Sequence, residues 1–94
     1  MNAKNDRKDY LLKELGQLPL SSVNDILEAN QWNESKKVDF VNWACDLIRY
    51  LSSQPCLNDI EKKGLHLVKC QYELYLIVIN EANNQNDDTH KKST

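Results

Sequence analysis

The sequence has few residues that turn a polypeptide chain. Its 94 residues include only two glycines and two prolines. An all-β domain needs a turn signal about every 8 to 12 residues, and this sequence does not supply them. The scarcity of turn residues therefore predicts a few long helices, and the length predicts a single domain.

Cysteine and basic residues are also limited. The three cysteines form an odd set, whereas the disulfide framework of a small secreted domain is normally even and denser. Fourteen acidic residues against twelve basic ones give a formal net charge of −2. Because binding to nucleic acid or to an anionic membrane needs clustered Lys and Arg, the charge disfavours both partners. We expect reduced thiols and a cytoplasmic protein.

No apolar run in the sequence is long enough to cross a bilayer. The longest, Leu74 to Ile79, falls far short of the roughly 20 residues that a transmembrane helix requires. No charged amino-terminal segment precedes an apolar stretch of the kind found in signal peptides. We therefore expect no membrane partner.

Two long segments carry the apolar residues that would form the core. Between Ser35 and Ser52 these residues recur at intervals of one, three and four, which places them on one helical face. The segment from Asn58 to Ala82 is denser, and its part from Tyr72 to Ile79 is apolar on nearly every side, which permits either a buried helix or a strand. We predict a helix, because the sequence offers no second strand to pair its backbone.

Candidate capping residues set the predicted helix boundaries. Four residues that commonly cap helices precede the apolar-periodic segments: Asp6, Ser22, Ser35 and Asn58. Two of them have an acidic residue three positions later, as in a capping box: Ser22 with Asp25, and Asn58 with Glu61. Gly16 is placed to end the first helix in a left-handed conformation, and Gly64 suggests a close approach of another helix.

These boundaries predict an all-α fold of four helices, two short and two long. The long pair would pack antiparallel across a tight loop at Pro55, as helical hairpins do. Residues 6–82 would form one domain. The polar segments 1–5 and 83–94 would be disordered, because they contain too little apolar surface to offset the entropy of ordering.

The sequence contains one weak sign of site chemistry. His66 and Cys70 are four residues apart, a spacing that places two zinc ligands, or a nucleophile and its base, on one helical face. A closed metal site needs further ligands, and neither Cys45 nor Cys56 is placed by any spacing rule to supply one. We therefore expect no metal, no cofactor and no catalysis.

The remaining signal is a set of acidic and aromatic residues suited to protein binding. We predict a small inhibitor that binds its target stoichiometrically, of the immunity-protein, antitoxin or anti-CRISPR type. Carboxylates would steer it to a basic, nucleic-acid-handling partner, and an aromatic side chain would anchor the complex. The candidate partner-binding residues are Glu28, Glu34, Asp39, Trp43, Asp46 and Tyr50.

Two alternatives remain open. The apolar content of the last helix exceeds what one buried face needs, which indicates a self-associating structural or adaptor protein, such as a homodimer. The residues that would bury themselves against a second copy are Tyr72, Tyr75, Leu76 and Ile77. The other alternative is a small DNA-binding regulator with a helix-turn-helix between Val23 and Leu51, although Asp39 and Asp46 would then face phosphate.

Overall fold

The computed structural model describes the backbone of residues 3–93 and the side chains of residues 6–83. Every regular element in this part of the chain is helical, which confirms the prediction of an all-α fold with two short and two long helices. The four helices are α1 (Ala3–Glu14), α2 (Leu20–Leu27), α3 (Glu34–Ser52) and α4 (Asp59–Ser93). Single turns of 3₁₀-helix at Leu15–Gln17 and Ala29–Gln31 follow α1 and α2.

Helix α4 is the centre of the fold, because α1, α2 and α3 all pack against it. The segment Tyr72–Ile79 is helical, so the choice of helix over strand is confirmed. Its inward side is completely or almost completely buried at Leu74 and Val78. The core around them also contains Leu11 and Leu15 from α1 with its following turn, Val23 and Ile26 from α2, and Ala29.

The contacts of α4 run in opposite order along its neighbours. Near the start of α1, Arg7 pairs with Glu73, whereas at the end of α1, Glu14 contacts His66. On α3, Glu34 and Val38 line a groove together with Ile79 and Asn83, whereas Cys45 lies close enough to Tyr72 to raise its pKa. This is the order of contacts in antiparallel pairs.

Three of the four predicted caps lie inside their helices instead of at the start. Helix α2 begins at Leu20 after Pro19, so Ser22 lies inside the helix and makes no capping box with Asp25. The fixed φ of proline suits the start of a helix. The backbone N–H of Ser22 donates a hydrogen bond to the Pro19 carbonyl at 3.0 Å. The same displacement occurs at the first helix, where Asp6 lies in the first turn of α1 rather than at its cap.

The cap of α3 is Asn33, two residues before the predicted Ser35. The Asn33 side chain accepts the backbone amide of Lys36 at 2.8 Å. Asparagine caps helices as well as serine does, so the earlier residue begins the helix and Ser35 falls inside it. At α4 the predicted capping box is confirmed: the amide of Glu61 donates to Asn58 at 2.8 Å, and the amide of Asn58 donates to the Glu61 carboxylate at 3.0 Å.

Both glycine predictions are wrong. Gly16 lies in the 3₁₀ turn without a positive φ, because the chain tightens after α1 instead of reversing through a left-handed residue. At Gly64, no heavy atom from another part of the chain lies within 4 Å of the position that a Cβ would occupy. No helix therefore approaches closely there among the described residues.

The ends of the helices extend into segments for which the sequence predicts no structure. Helix α1 begins at Ala3, and α4 continues to Ser93. Neither extension contains glycine or proline, so the residues in them are compatible with a helix. Disorder of segments 1–5 and 83–94 in solution stays a prediction, and residues 1, 2 and 94 lie outside the described part of the chain.

None of the helices, over the residues described, combines the length and the apolarity needed to cross a membrane.

Candidate functional site

Four of the predicted partner-binding residues lie on one exposed face of α3. Asp39, Trp43, Asp46 and Tyr50 follow one another at intervals of four, three and four residues. At about 100° per residue, these positions fall within about 60° of each other around the helix axis. All four are exposed, including 47% of Trp43 and 60% of Tyr50. We call these four residues the α3 stripe.

The indole of Trp43 is supported from below by aromatic packing. Its ring centroid lies 5.8 Å from that of Phe40, and Phe40 in turn lies 4.9 Å from Tyr75 and 5.5 Å from Trp32. Tyr75 is buried in the core. Because contacts with fixed neighbours restrict its rotamers, Trp43 loses less conformational entropy on binding a partner than a free surface tryptophan would.

A shallow groove of about 330 Å³ lies within the stripe. Trp43 and Tyr50 form its two ends, and Asp46 and the half-buried Leu47 lie between them. The Asp46 carboxylate is 3.4 Å from the guanidinium of Arg49, with both side chains about three-quarters exposed. The groove thus combines two aromatic rings, one carboxylate and one aliphatic side chain.

The charge of the stripe is only partly neutralised within the chain. Among the described side chains, no cation lies within ion-pair distance of Asp39. The pair between Asp46 and Arg49 is exposed and long, so a competing cation can replace Arg49 at small cost. The stripe can therefore accept positive charge from outside.

The other two predicted partner-binding residues lie elsewhere. Glu34 begins α3, about 140° around the axis from Asp39. It pairs with Lys37 at 3.7 Å and lines a second groove, of about 510 Å³, between α3 and α4. Glu28 is exposed at the end of α2, in a different element. The structure therefore brings together four of the six residues and leaves Glu28 and Glu34 off the stripe.

The residues proposed for self-association are mostly covered by the chain itself. Tyr75 is 6% exposed, Tyr72 and Ile77 are half-buried, and only Leu76 is exposed. Burial raises the pKa of Tyr75, and the interaction with Cys45 is the main cause that raises the pKa of Tyr72. Trp32, from the turn before α3, stacks on Tyr75 with 5.8 Å between the ring centroids. It therefore covers part of the apolar surface of α4 that the sequence analysis assigns to self-association.

His66 and Cys70 lie together, and Glu14 from α1 joins them. The Cys70 sulfur is 3.7 Å from Nε2 of His66, and the same nitrogen is 2.6 Å from the Glu14 carboxylate. If Nε2 donates its proton to the Glu14 carboxylate, it cannot also accept the proton of the Cys70 thiol. The geometry is therefore not that of a catalytic relay. The pKa of Cys70 is raised, mainly by burial and then by the charges of Glu14 and Glu73, which favours the neutral thiol.

Within the described residues, no group of three His, Cys, Asp or Glu side chains is arranged to hold a metal ion. The spacing of His66 and Cys70 indicated a pair but gave no sign of Glu14, because that residue is distant in sequence. The same is true of the ion pairs that join α1 to α4. Arg7 holds the Glu73 carboxylate through two hydrogen bonds and lowers its pKa, and Lys8 lies 3.1 Å from Glu81.

Comparison with known proteins adds no family to this description. No family model matches the chain, and neither the curated proteins nor the solved structures searched yield a match.

Proposed function

We propose that this chain is a small non-catalytic inhibitor that acts by stoichiometric binding to another protein through the α3 stripe. The observation that carries the proposal is the coexistence, on one exposed helical face, of two aromatic side chains and two carboxylates. Aromatic residues are the side chains that most often anchor protein interfaces. Placed beside Asp39 and Asp46, they suit a partner whose surface is basic.

A basic partner surface is typical of proteins that handle nucleic acid. Carboxylates directed at such a surface accelerate association and compete with the phosphates of its usual ligand. Immunity proteins, antitoxins and phage-encoded inhibitors of host defence, including anti-CRISPR proteins, are the functional types that match this chemistry. The length of 94 residues and the small net charge are compatible with each of them.

The alternatives have less support. Self-association through α4 would use Tyr72, Tyr75, Leu76 and Ile77, of which only Leu76 is exposed. DNA binding by α3 would bring Asp39 and Asp46, which are exposed on this helix, close to the phosphates and so be opposed by charge repulsion.

The test is affinity capture from the cells in which the chain is naturally made, followed by an activity assay of the captured protein. We expect the captured protein to be basic and to handle nucleic acid. Light scattering should show that the two proteins form a complex of fixed stoichiometry. Its activity should fall in proportion to the inhibitor added, until the two proteins are equimolar for a 1:1 complex.

The matched variants are Trp43→Ala with Tyr50→Ala, and Leu20→Ala with Ile60→Ala. Leu20 and Ile60 are also exposed apolar side chains, but they lie outside the stripe. The stripe variant should lose both capture and inhibition, whereas the control variant should keep both. Equal behaviour of the two variants, with both folded by circular dichroism, would contradict the proposal.

A further inference from the structure

We infer that the groove between Trp43 and Tyr50 is a binding site for an arginine side chain on the surface of the partner protein. This inference deepens the proposed function and rests on it, because it names the group that the stripe recognises. It is carried by the chemistry of the four residues that line the groove: Trp43, Asp46, Leu47 and Tyr50.

The two aromatic side chains line the groove and are two helical turns apart on α3. Trp43 and Tyr50 are seven residues apart, so their Cα atoms are separated by about 10.5 Å along the axis. A cation seated in the groove meets an aromatic side chain on either side, and cation–π attraction acts within about 6 Å of a ring centroid. Tryptophan is the strongest cation–π partner, and its support by Phe40 keeps it in place.

The carboxylate of Asp46 lies between the rings and supplies the counter-charge. Carboxylates bind guanidinium through two parallel hydrogen bonds when the planes align. Asp46 already contacts a guanidinium, that of Arg49 at 3.4 Å, in an exposed and weak pair. An arginine from a partner would reach the same carboxylate from the open side of the groove and displace Arg49.

Leu47 provides the apolar floor. It is half-buried between the two aromatic residues, and the methylene groups of a long cationic side chain can lie against it. The groove volume of about 330 Å³ is sufficient for one such side chain. Arginine fits better than lysine, because guanidinium is planar, weakly hydrated and able to stack on aromatic rings while it hydrogen-bonds a carboxylate.

The experiment compares two acetylated and amidated peptides of equal length and charge, one with three arginines and the other with three lysines at the same positions. Each is titrated into the ¹⁵N-labelled full chain and followed by nuclear magnetic resonance. We expect the arginine peptide to shift the indole N–H of Trp43 and the amides of Asp46, Leu47 and Tyr50. The lysine peptide should bind measurably more weakly, because an ammonium group is strongly hydrated and cannot stack on the rings while it pairs with the carboxylate.

Three variants make the test specific. Asp46→Asn keeps the shape of the side chain and should lower the affinity for the arginine peptide about two- to fivefold. Arg49→Gln removes the arginine that pairs with Asp46 within the chain, and it should raise the affinity for the arginine peptide. Leu20→Ala, a change at an exposed leucine outside the groove, should have no effect.

Equal affinity for the two peptides, shifts located away from the groove, or no binding at millimolar peptide would each overturn the arginine assignment. These results are separate from the test of the proposed function. A stripe that captures and inhibits a basic protein without preferring arginine would leave the proposed function standing. A groove that prefers arginine while the stripe variant still inhibits its target would contradict the proposed function instead.

Discussion

Truncation of Leu74 should destabilise the protein severely, whereas truncation of Leu76 should not. Leu74 is fully buried at the centre of α4, but Leu76, two residues further on, is 45% exposed. Deletion of a buried leucine side chain to alanine costs about 2 to 5 kcal/mol, because apolar contacts are lost and a cavity remains. At the exposed position much less area returns to water, and the expected cost is below about 1 kcal/mol.

The assay is urea unfolding of Leu74→Ala and Leu76→Ala, followed by circular dichroism. For a small domain with an m value of roughly 1 to 2 kcal/mol/M, a loss of about 3 kcal/mol lowers the unfolding midpoint by about 1.5 to 3 M. Leu76→Ala should shift the midpoint by less than about 1 M. Since the two positions lie about 160° apart around the helix, the contrast measures which side of α4 faces the core.

Equal losses for the two variants would refute this description of α4. A large cost at Leu76 that increases with protein concentration would indicate that a second copy covers this residue, as the self-association alternative requires. A small cost at Leu74 would show that the core does not contain it.

Three further predictions concern single side chains. Asn33→Ala should cost about 1 kcal/mol in urea unfolding, and Ser35→Ala less than about 0.5 kcal/mol, because Asn33 is the cap. In the native protein the exposed Cys56 should react with a thiol reagent well before the buried Cys70, whose pKa is raised, as intact-mass measurement can show. The pKa of Glu73 is lowered by its guanidinium partner, so its stabilising effect should be complete above the ordinary carboxyl pKa and disappear as pH falls through the lowered value. Glu73→Gln should therefore lower the urea midpoint near neutral pH but not in strong acid.

The sequence predicts the long helices well because their apolar spacing is local information. It also identifies the α3 stripe, since residues at intervals of three and four on one helix share a face whatever the tertiary structure. The same rule excludes Glu34 from that face, but the sequence prediction selected Glu34 for its charge without applying the spacing. Glu28 lies in another element, where helical spacing gives no information.

The sequence predictions that are wrong or incomplete have two physical causes. Neighbouring residues compete to begin a helix, and some contacts join residues that are far apart in sequence. Several residues near each helix start can begin it: α2 starts directly after Pro19, whose φ suits a helix start, and α3 starts after Asn33, which caps it, so both helices begin before the predicted serines. The burial of Tyr75 depends on Trp32, whose ring stacks on the ring of Tyr75. Trp32 precedes α3 and belongs to neither long helix, so the spacing within those helices does not predict this contact. The contact of Glu14 with His66 joins residues 52 apart in sequence, and no local pattern specifies it.

The most direct measurement of the central claim is calorimetric titration of the captured partner with two double variants. One is Trp43→Ala with Tyr50→Ala in the α3 stripe, and the other is Leu20→Ala with Ile60→Ala outside it. If the stripe is the binding face, the stripe variant should lose at least about 2 kcal/mol of binding free energy, the value that marks an interface hot spot. The control should stay within about 0.5 kcal/mol of the unmodified chain. Unchanged affinity of the folded stripe variant would contradict the claim.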